Sequence, residues 1–131
     1  MLKMIEIRVA FADTDAMGVV HHANYLKYFE VARVGCLREL GVNYRDWQNK
    51  GFHLPLIQAQ CNYKKPARFE DLLEIDVTLS RKKFRFIFEY KVKNKTTNET
   101  LTTGSTTHVS VDNNMKLIDP PDDIVKAFSS K

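Results

Sequence analysis

Residues 11–25 read FADTDAMGVVHHANY, and they place two carboxylates and two imidazoles on one glycine-containing stretch. Asp13 and Asp15 stand two apart, while His21 and His22 are adjacent. Carboxylates at that spacing suit a divalent cation, a general base or nucleophile, or the cap of a following helix. Calcium fails on the pattern. Asp13, Asp15 and Gly18 would occupy positions 1, 3 and 6 of an EF-hand loop. Met17 and Asn24 then fall where that loop needs an oxygen ligand and a bidentate glutamate. A strand, moreover, precedes the stretch where the motif requires a helix. Zinc fits no better, because adjacent histidines cannot easily share an ion and neither cysteine has a partner at ligand spacing. A phosphate-cradling glycine loop and a G-x-S-x-G elbow are both missing from the sequence.

What remains is a carboxylate ahead of a helix N-terminus, where unpaired backbone N–H groups and the helix dipole favour an anion or a developing oxyanion. Asp15 lies several residues before the first clear helical position, and His22 or Asn24 is nearer the start. Spacing alone leaves Asp15 open to a structural and a catalytic role alike.

The elements that must hold this stretch follow from periodicity. Ile5, Ile7, Val9 and Phe11 alternate with polar or small residues, as in a half-buried strand. Helical spacing then puts Leu26, Phe29, Leu37 and Leu40 on one side, with Tyr25, Ala32 and Cys36 beside them. Lys27, Val34 and Arg38 fall opposite, and Gly41 ends the helix. A short helix is expected in VNYRDWQNK. Four strands follow: one through Ile57, Ala59, Cys61 and Tyr63, one through Leu73–Leu79, one through Phe84–Val92, and a threonine-rich return, LTTGSTTHVSVD. NKTTNET makes the last hairpin tip, and a short terminal helix begins at Pro121 or Asp122. One strand, one apolar helix and an antiparallel meander give an α+β pattern in which the sheet wraps the helix, with residues 1–131 as one domain.

Composition bounds the rest. With 44% hydrophobic and 27% charged residues the chain is of ordinary globular make-up. No apolar run approaches the roughly 20 residues of a membrane span, and the N-terminus reads as a strand rather than a leader, so a cytoplasmic protein is expected. Cys36 and Cys61 are expected as buried free thiols. The net charge of +4 concentrates in NYKKPARF and SRKKFRF, which suits a phosphate-bearing ligand, nucleic acid or plain solvated surface. Phe84, Phe86 and Phe88 alternate as core residues, so no aromatic platform for nucleic acid is expected.

RVAFADTDAMGVVHHANYLKYFEVAR closely resembles the N-terminal signature of the hotdog-fold acyl-CoA thioesterases of the 4-hydroxybenzoyl-CoA thioesterase type, including the bacterial branch associated with the Tol–Pal gene cluster. The likeness rests on D-x-D-x-x-G-x-V, H-x-N-Y and F-E-x-A-R, and continues more weakly through YKKPARFEDLLEIDVTL and TTGSTTHVSVD. It implies a hotdog fold, a curved antiparallel sheet around one long helix, and a homodimer joined edge to edge with sites at the interface. Dimers of this family often pair into tetramers. Asp15 is implied as general base or nucleophile, and the His22 N–H as oxyanion donor. Asn24 and Tyr25, counted with the substrate-binding residues, fix the helix start, Asn24 by hydrogen bonds and Tyr25 by packing. His21 is expected to face solvent. Arg81, Lys82 and Lys83 are implied at the phosphates of coenzyme A, with Lys64, Lys65 and Arg68 as weaker candidates. Glu30 and Arg33 are expected as an architectural ion pair. Neither cofactor nor metal is needed, since coenzyme A is part of the substrate. The implied reaction is hydrolysis of acyl-CoA to a free acid and coenzyme A. Acyl carrier protein thioesters are the close alternative, and a catalytically silent acyl-CoA binder the distant one.

Overall fold

The computed structural model describes residues 2–129. Strand β1 (Leu2–Arg8) leads through the D-x-D loop into helix α1 (Asn24–Glu39) and the short helix α2 (Tyr44–Asn49). Strands β2 (Leu56–Tyr63), β3 (Leu72–Lys82), β4 (Arg85–Asn94) and β5 (Thr100–Val109) follow, then helix α3 (Asp122–Ser129). The five strands form one antiparallel sheet in the order β1-β3-β4-β5-β2. It encloses α1, as the alternation and the resemblance imply.

The alternating strands deliver the core. Leu73, Ile75, Val77 and Leu79 of β3 and Phe86, Phe88, Tyr90 and Val92 of β4 are buried on the helix side. There Tyr25, Phe29, Ala32 and Cys36 of α1 meet them. Phe29 stacks on Tyr90 with centroids 4.2 Å apart and planes 4° from parallel. Gly104 makes room for that stack: a Cβ there would meet the Phe29 ring at 2.7 Å and press closer still on the Gln60 carbonyl. The helix ends as Gly41 predicts. Gly41 adopts φ 84, its N–H donates to the Arg38 carbonyl, and Val42 N–H reaches back to Leu37. Beneath the sheet, α3 sets Phe128 edge-on against Phe86 and Phe88.

Four expectations are corrected. The β2 alternation does not mark a half-buried strand: β2 is a sheet edge, exposed on both faces except at half-buried Cys61. Leu26 shares the apolar side by spacing yet is 44% exposed, because it points past the core toward that open edge. Cys36 is a buried free thiol as expected, whereas Cys61 is only partly covered. Glu30 and Arg33 form no ion pair with each other among the described residues. Arg33 instead turns inward and donates to the Tyr90 hydroxyl at 3.2 Å. Arginine three residues on from glutamate can reach it on a helix, but here the hydroxyl-lined floor of the sheet captures the guanidinium first.

That floor is a directed chain. His108 Nδ1–H donates to the Leu54 carbonyl at 3.0 Å, which leaves Nε2 to accept from Thr106 at 3.0 Å. Tyr90 then gives its hydroxyl proton to Thr106 at 2.7 Å and accepts from Arg33. Burial first, and the Arg33 charge second, push the His108 imidazole down to about 4, so it is neutral at physiological pH.

Candidate active site

The loop after β1 is a small hairpin of its own. A 3₁₀ turn over Phe11–Asp13 redirects the chain, and Thr14 then bridges to Val20. Asp15 N–H donates to the Val19 carbonyl at 2.9 Å and Gly18 N–H to the Asp15 carbonyl at 2.9 Å. The tip needs Gly18 because its φ is 78, a conformation that side chains disfavour. One Asp15 carboxylate oxygen accepts from Met17 N–H at 2.8 Å. The other has no partner among the described residues, and the carboxylate is exposed. Val20 N–H donates to the Ala67 carbonyl at 2.8 Å, which ties the loop to the segment between β2 and β3.

The two aspartates have separate tasks. Asp13 is buried, with Lys27 at 2.6 Å and the Tyr28 hydroxyl at 2.9 Å on its two oxygens. Lys27 holds its carboxyl below the usual carboxylate range against the pull of burial, and Tyr28 adds to this. The Asp13 carbonyl receives His21 N–H at 2.9 Å and the Asn24 side chain at 2.8 Å. Asp13 is thus the latch that fixes loop to helix.

Neither aspartate caps α1, whose N-cap position is Ala23. The orphan donors of the first turn are met locally. His21 accepts twice, from Ala23 N–H on Nδ1 at 3.1 Å and from Asn24 N–H on its carbonyl at 2.9 Å. Tyr25 N–H reaches the His22 carbonyl at 3.3 Å, which also accepts from the Tyr63 hydroxyl at 3.1 Å. The His22 N–H has no acceptor among the described residues. It is a free donor at the positive end of a 16-residue helix.

Asp15 and His22 open into one cleft of about 360 Å³, walled by Tyr25, Tyr63, Lys64 and Lys65. Tyr25 packs edge-on against Tyr63 at 5.4 Å, and His22 lies edge-on to the same ring at 6.4 Å. Asn24 sits behind the wall, its amide engaged by Asp13. Arg81, Lys82 and Lys83 are elsewhere. They surround the β3–β4 turn, where Lys83 takes φ 56, about 30 Å along β3 from the D-x-D loop. The basic residues beside Asp15 are Lys64 and Lys65, the second paired with Glu99. In the sequence Tyr63 reads as one more alternating strand residue, and the lysine doublet and proline after it are the sign that the strand ends there. Among the described residues no three His, Cys, Asp or Glu side chains converge as a metal site requires, and no helix is long and apolar enough to cross a membrane.

A free carboxylate oxygen and a free helix-start N–H facing one cleft suit attack on an activated carbonyl. The wider comparisons agree. Residues 9–128 match the model of the thioesterase-like superfamily. The chain belongs to that superfamily. It is 32% identical over 108 residues to a putative acyl-CoA thioesterase of Bacillus subtilis, covering 82% of this chain and 78% of that one. Its backbone matches a 1,4-dihydroxy-2-naphthoyl-CoA thioesterase from Synechocystis with a TM-score of 0.94 and 25% identity, over 99% of this chain and 97% of that one. A DHNA-CoA thioesterase from Staphylococcus aureus matches at TM-score 0.91 and 30% identity, over 98% and 89% of the two chains. The hotdog fold and the thioester-hydrolysing enzyme class implied by the motif are both borne out.

Proposed function

We propose that this thioesterase-superfamily member hydrolyses acyl-CoA, with Asp15 and the His22 N–H as its working groups. The carrying observation is the unpaired His22 N–H at the start of α1, in the same cleft as the free oxygen of Asp15. In the general-base route Asp15 takes a proton from water, whose oxygen bonds to the thioester carbon. The carbonyl π pair moves onto oxygen, where the His22 N–H receives it. Collapse re-forms the carbonyl and breaks the C–S bond, and the proton on Asp15 passes to the thiolate of coenzyme A. In the nucleophilic route Asp15 itself bonds to the carbonyl carbon, expels the thiolate, and the mixed anhydride is cleaved by water. Thiolate leaves readily, so no triad is needed.

A second copy of the chain completes this reading. The outer edge of β2 is unpaired, and Leu56, Ile57 and Tyr63 along it are each about half exposed. Antiparallel pairing of β2 with its own copy closes both edges. It also reverses the second sheet, bringing the β3–β4 turn of that copy to the Asp15 end. Arg81, Lys82 and Lys83 of one protomer then serve the cleft of the other, beside Lys64 and Lys65. A pairing of dimers into tetramers, and a place near the 4-hydroxybenzoyl-CoA branch, follow from the motif resemblance alone.

Thiol release from short-chain, long-chain and aromatic acyl-CoAs, wild type beside Asp15→Asn, tests the proposal. Turnover that falls at least about a hundredfold in the variant supports it. Equal rates in both remove Asp15 from the mechanism. The lysines at the cleft mouth also fit the acidic surface of an acyl carrier protein, so turnover of acyl-carrier-protein thioesters with none of acyl-CoA would move the substrate there.

A further inference from the structure

Arg33 is a half-buried cation that meets no carboxylate among the described residues. Its Nη1 donates to the Tyr90 hydroxyl, the Phe88 ring lies 5.8 Å from the guanidinium carbon, and Tyr44 stands beside it. Its Nε–H is buried with no acceptor among the described residues. Hydroxyls and ring faces repay only part of the hydration that a guanidinium loses, so such a site calls for an anion. Glu30, one turn earlier, is exposed and makes no hydrogen bond or ion pair among the described residues. One unspent carboxylate and one unspent cation therefore lie on the same helix without meeting.

By helical spacing Glu30 and Arg33 fall on the flank of α1 that carries Leu26. Leu26 on that flank shares a groove with Ala59, Cys61 and Tyr63 of β2. Contacts across β5 fix how helix and strand are aligned. Phe29 packs on Gly104, which pairs with Cys61. Arg33 reaches Tyr90, Tyr90 bonds Thr106, and Thr106 pairs with Ala59. Four helix residues thus run level with two strand residues, about 6 Å by either measure, in opposite directions. The midpoint of β2, between Ala59 and Gln60, is accordingly level with residue 32 of α1. A two-fold axis through that midpoint sets two helices antiparallel, each residue facing the one whose number completes a sum near 64. Thirty and thirty-three fall one short of that sum, an offset of about 1.5 Å along the helix that two long side chains span.

We propose that Glu30 of each copy is the counter-ion of Arg33 of the other, a pair of symmetry-related ion pairs flanking the two-fold axis. The inference rests on the β2-edge dimer proposed above. It adds a polar lock to an otherwise apolar edge, and it selects one register of β2 on β2, because a slip of two residues along the strand moves Glu30 away from Arg33. Symmetry makes the contact occur twice, so one substitution removes both.

Sedimentation velocity over a range of protein concentrations reads the dimer dissociation constant. Glu30→Gln alters an exposed side chain that its own chain does not use, so folding is expected to be unaffected. The expected result is a dissociation constant raised by at least about tenfold. Glu30→Lys and Arg33→Glu are each expected to dimerise more weakly still. Mixed one to one they restore a heterodimer, detected by native mass spectrometry, because lysine then meets glutamate and Arg33 meets Glu30. Should Arg33→Glu fail to fold, the Glu30 variants alone decide. A dissociation constant unchanged in both of them overturns the ion pair while leaving the dimer standing. A wild-type chain that stays monomeric throughout overturns the dimer as well.

Discussion

The ammonium of Lys27 lies 2.6 Å from the buried carboxylate of Asp13, and the Tyr28 hydroxyl meets the other oxygen of that carboxylate. This splits the D-x-D motif by burial. Asp13 spends its oxygens inside the protein, and Asp15 keeps one for the cleft. The first aspartate is a joint between loop and helix, and its removal is a stability experiment.

Asp13→Asn keeps the size of the side chain and loses the charge. It is expected to destabilise the fold by about 1–3 kcal/mol, the range for disturbing a buried hydrogen-bonded group. The sign of the pH effect follows from a carboxyl held low in the folded state. Its stabilisation is fully present above the unfolded value near 3.8 and is lost as pH falls through the folded value. Denaturant melts from pH 7 to pH 3 should therefore show wild type and variant converging at the acid end. A gap that stays constant would mean that the Asp13 charge contributes nothing.

If the His22 main chain is the oxyanion donor, its side chain can be removed at little cost. His22→Ala retains the N–H and is expected to lose less than about tenfold in kcat. His22→Pro deletes the N–H near a helix start, where proline is tolerated, and is expected to lose about 10²–10³-fold. Melting curves on both variants separate chemistry from folding. Equal losses in the two would assign the work to the imidazole instead.

Much of this was legible before any coordinates. Strict alternation in Leu73–Leu79 and Phe86–Val92 reports burial on one face, so those strands were readable to within a few residues. For Asp15 and His22 the family resemblance of D-x-D-x-x-G and H-x-N-Y supplied the roles, whereas spacing alone left Asp15 between a structural and a catalytic one. What sequence could not give was long-range placement. Ile57 and Tyr63 alternate like core residues because they are apolar on an edge, and periodicity does not tell an edge awaiting a partner from a strand already covered. Arg33 likewise had two acceptors within reach, Glu30 by helical spacing and Tyr90 by sheet register, and only the three-dimensional arrangement decides between them. Lys64 and Lys65 ranked below Arg81–Lys83 because charge density, unlike distance from Asp15, is visible in one dimension.

Gly104 offers a test of the packing that seats α1. A methyl group there would meet both the Gln60 carbonyl and the Phe29 ring. The backbone oxygen cannot swing away without opening the β2–β5 ladder. Gly104→Ala is expected to cost about 3 kcal/mol, the upper end of overpacking, in chemical denaturation. A loss below about 0.5 kcal/mol would show that β2 moves aside freely, and with it the wall that Tyr63 gives the cleft.

His108 closes the buried chain from Arg33 and should dominate the mild-acid behaviour of the fold. In the unfolded chain its imidazole titrates near 6.5, whereas in the folded protein it holds out to about 4. Above pH 6.5 both states are neutral and its contribution is constant. Between those values the unfolded chain takes up a proton that the folded one refuses, so stability falls as the pH is lowered, by up to about 3 kcal/mol. His108→Asn can still donate to the Leu54 carbonyl but carries no titrating group. It is expected to be less stable at pH 7.5, since Thr106 loses its acceptor, yet to show a flatter profile between pH 6.5 and 4. Urea melts of the two proteins across that interval decide the matter: parallel profiles would mean that other groups set the acid sensitivity, and a variant that crosses above wild type at low pH would show the neutral imidazole to be its source.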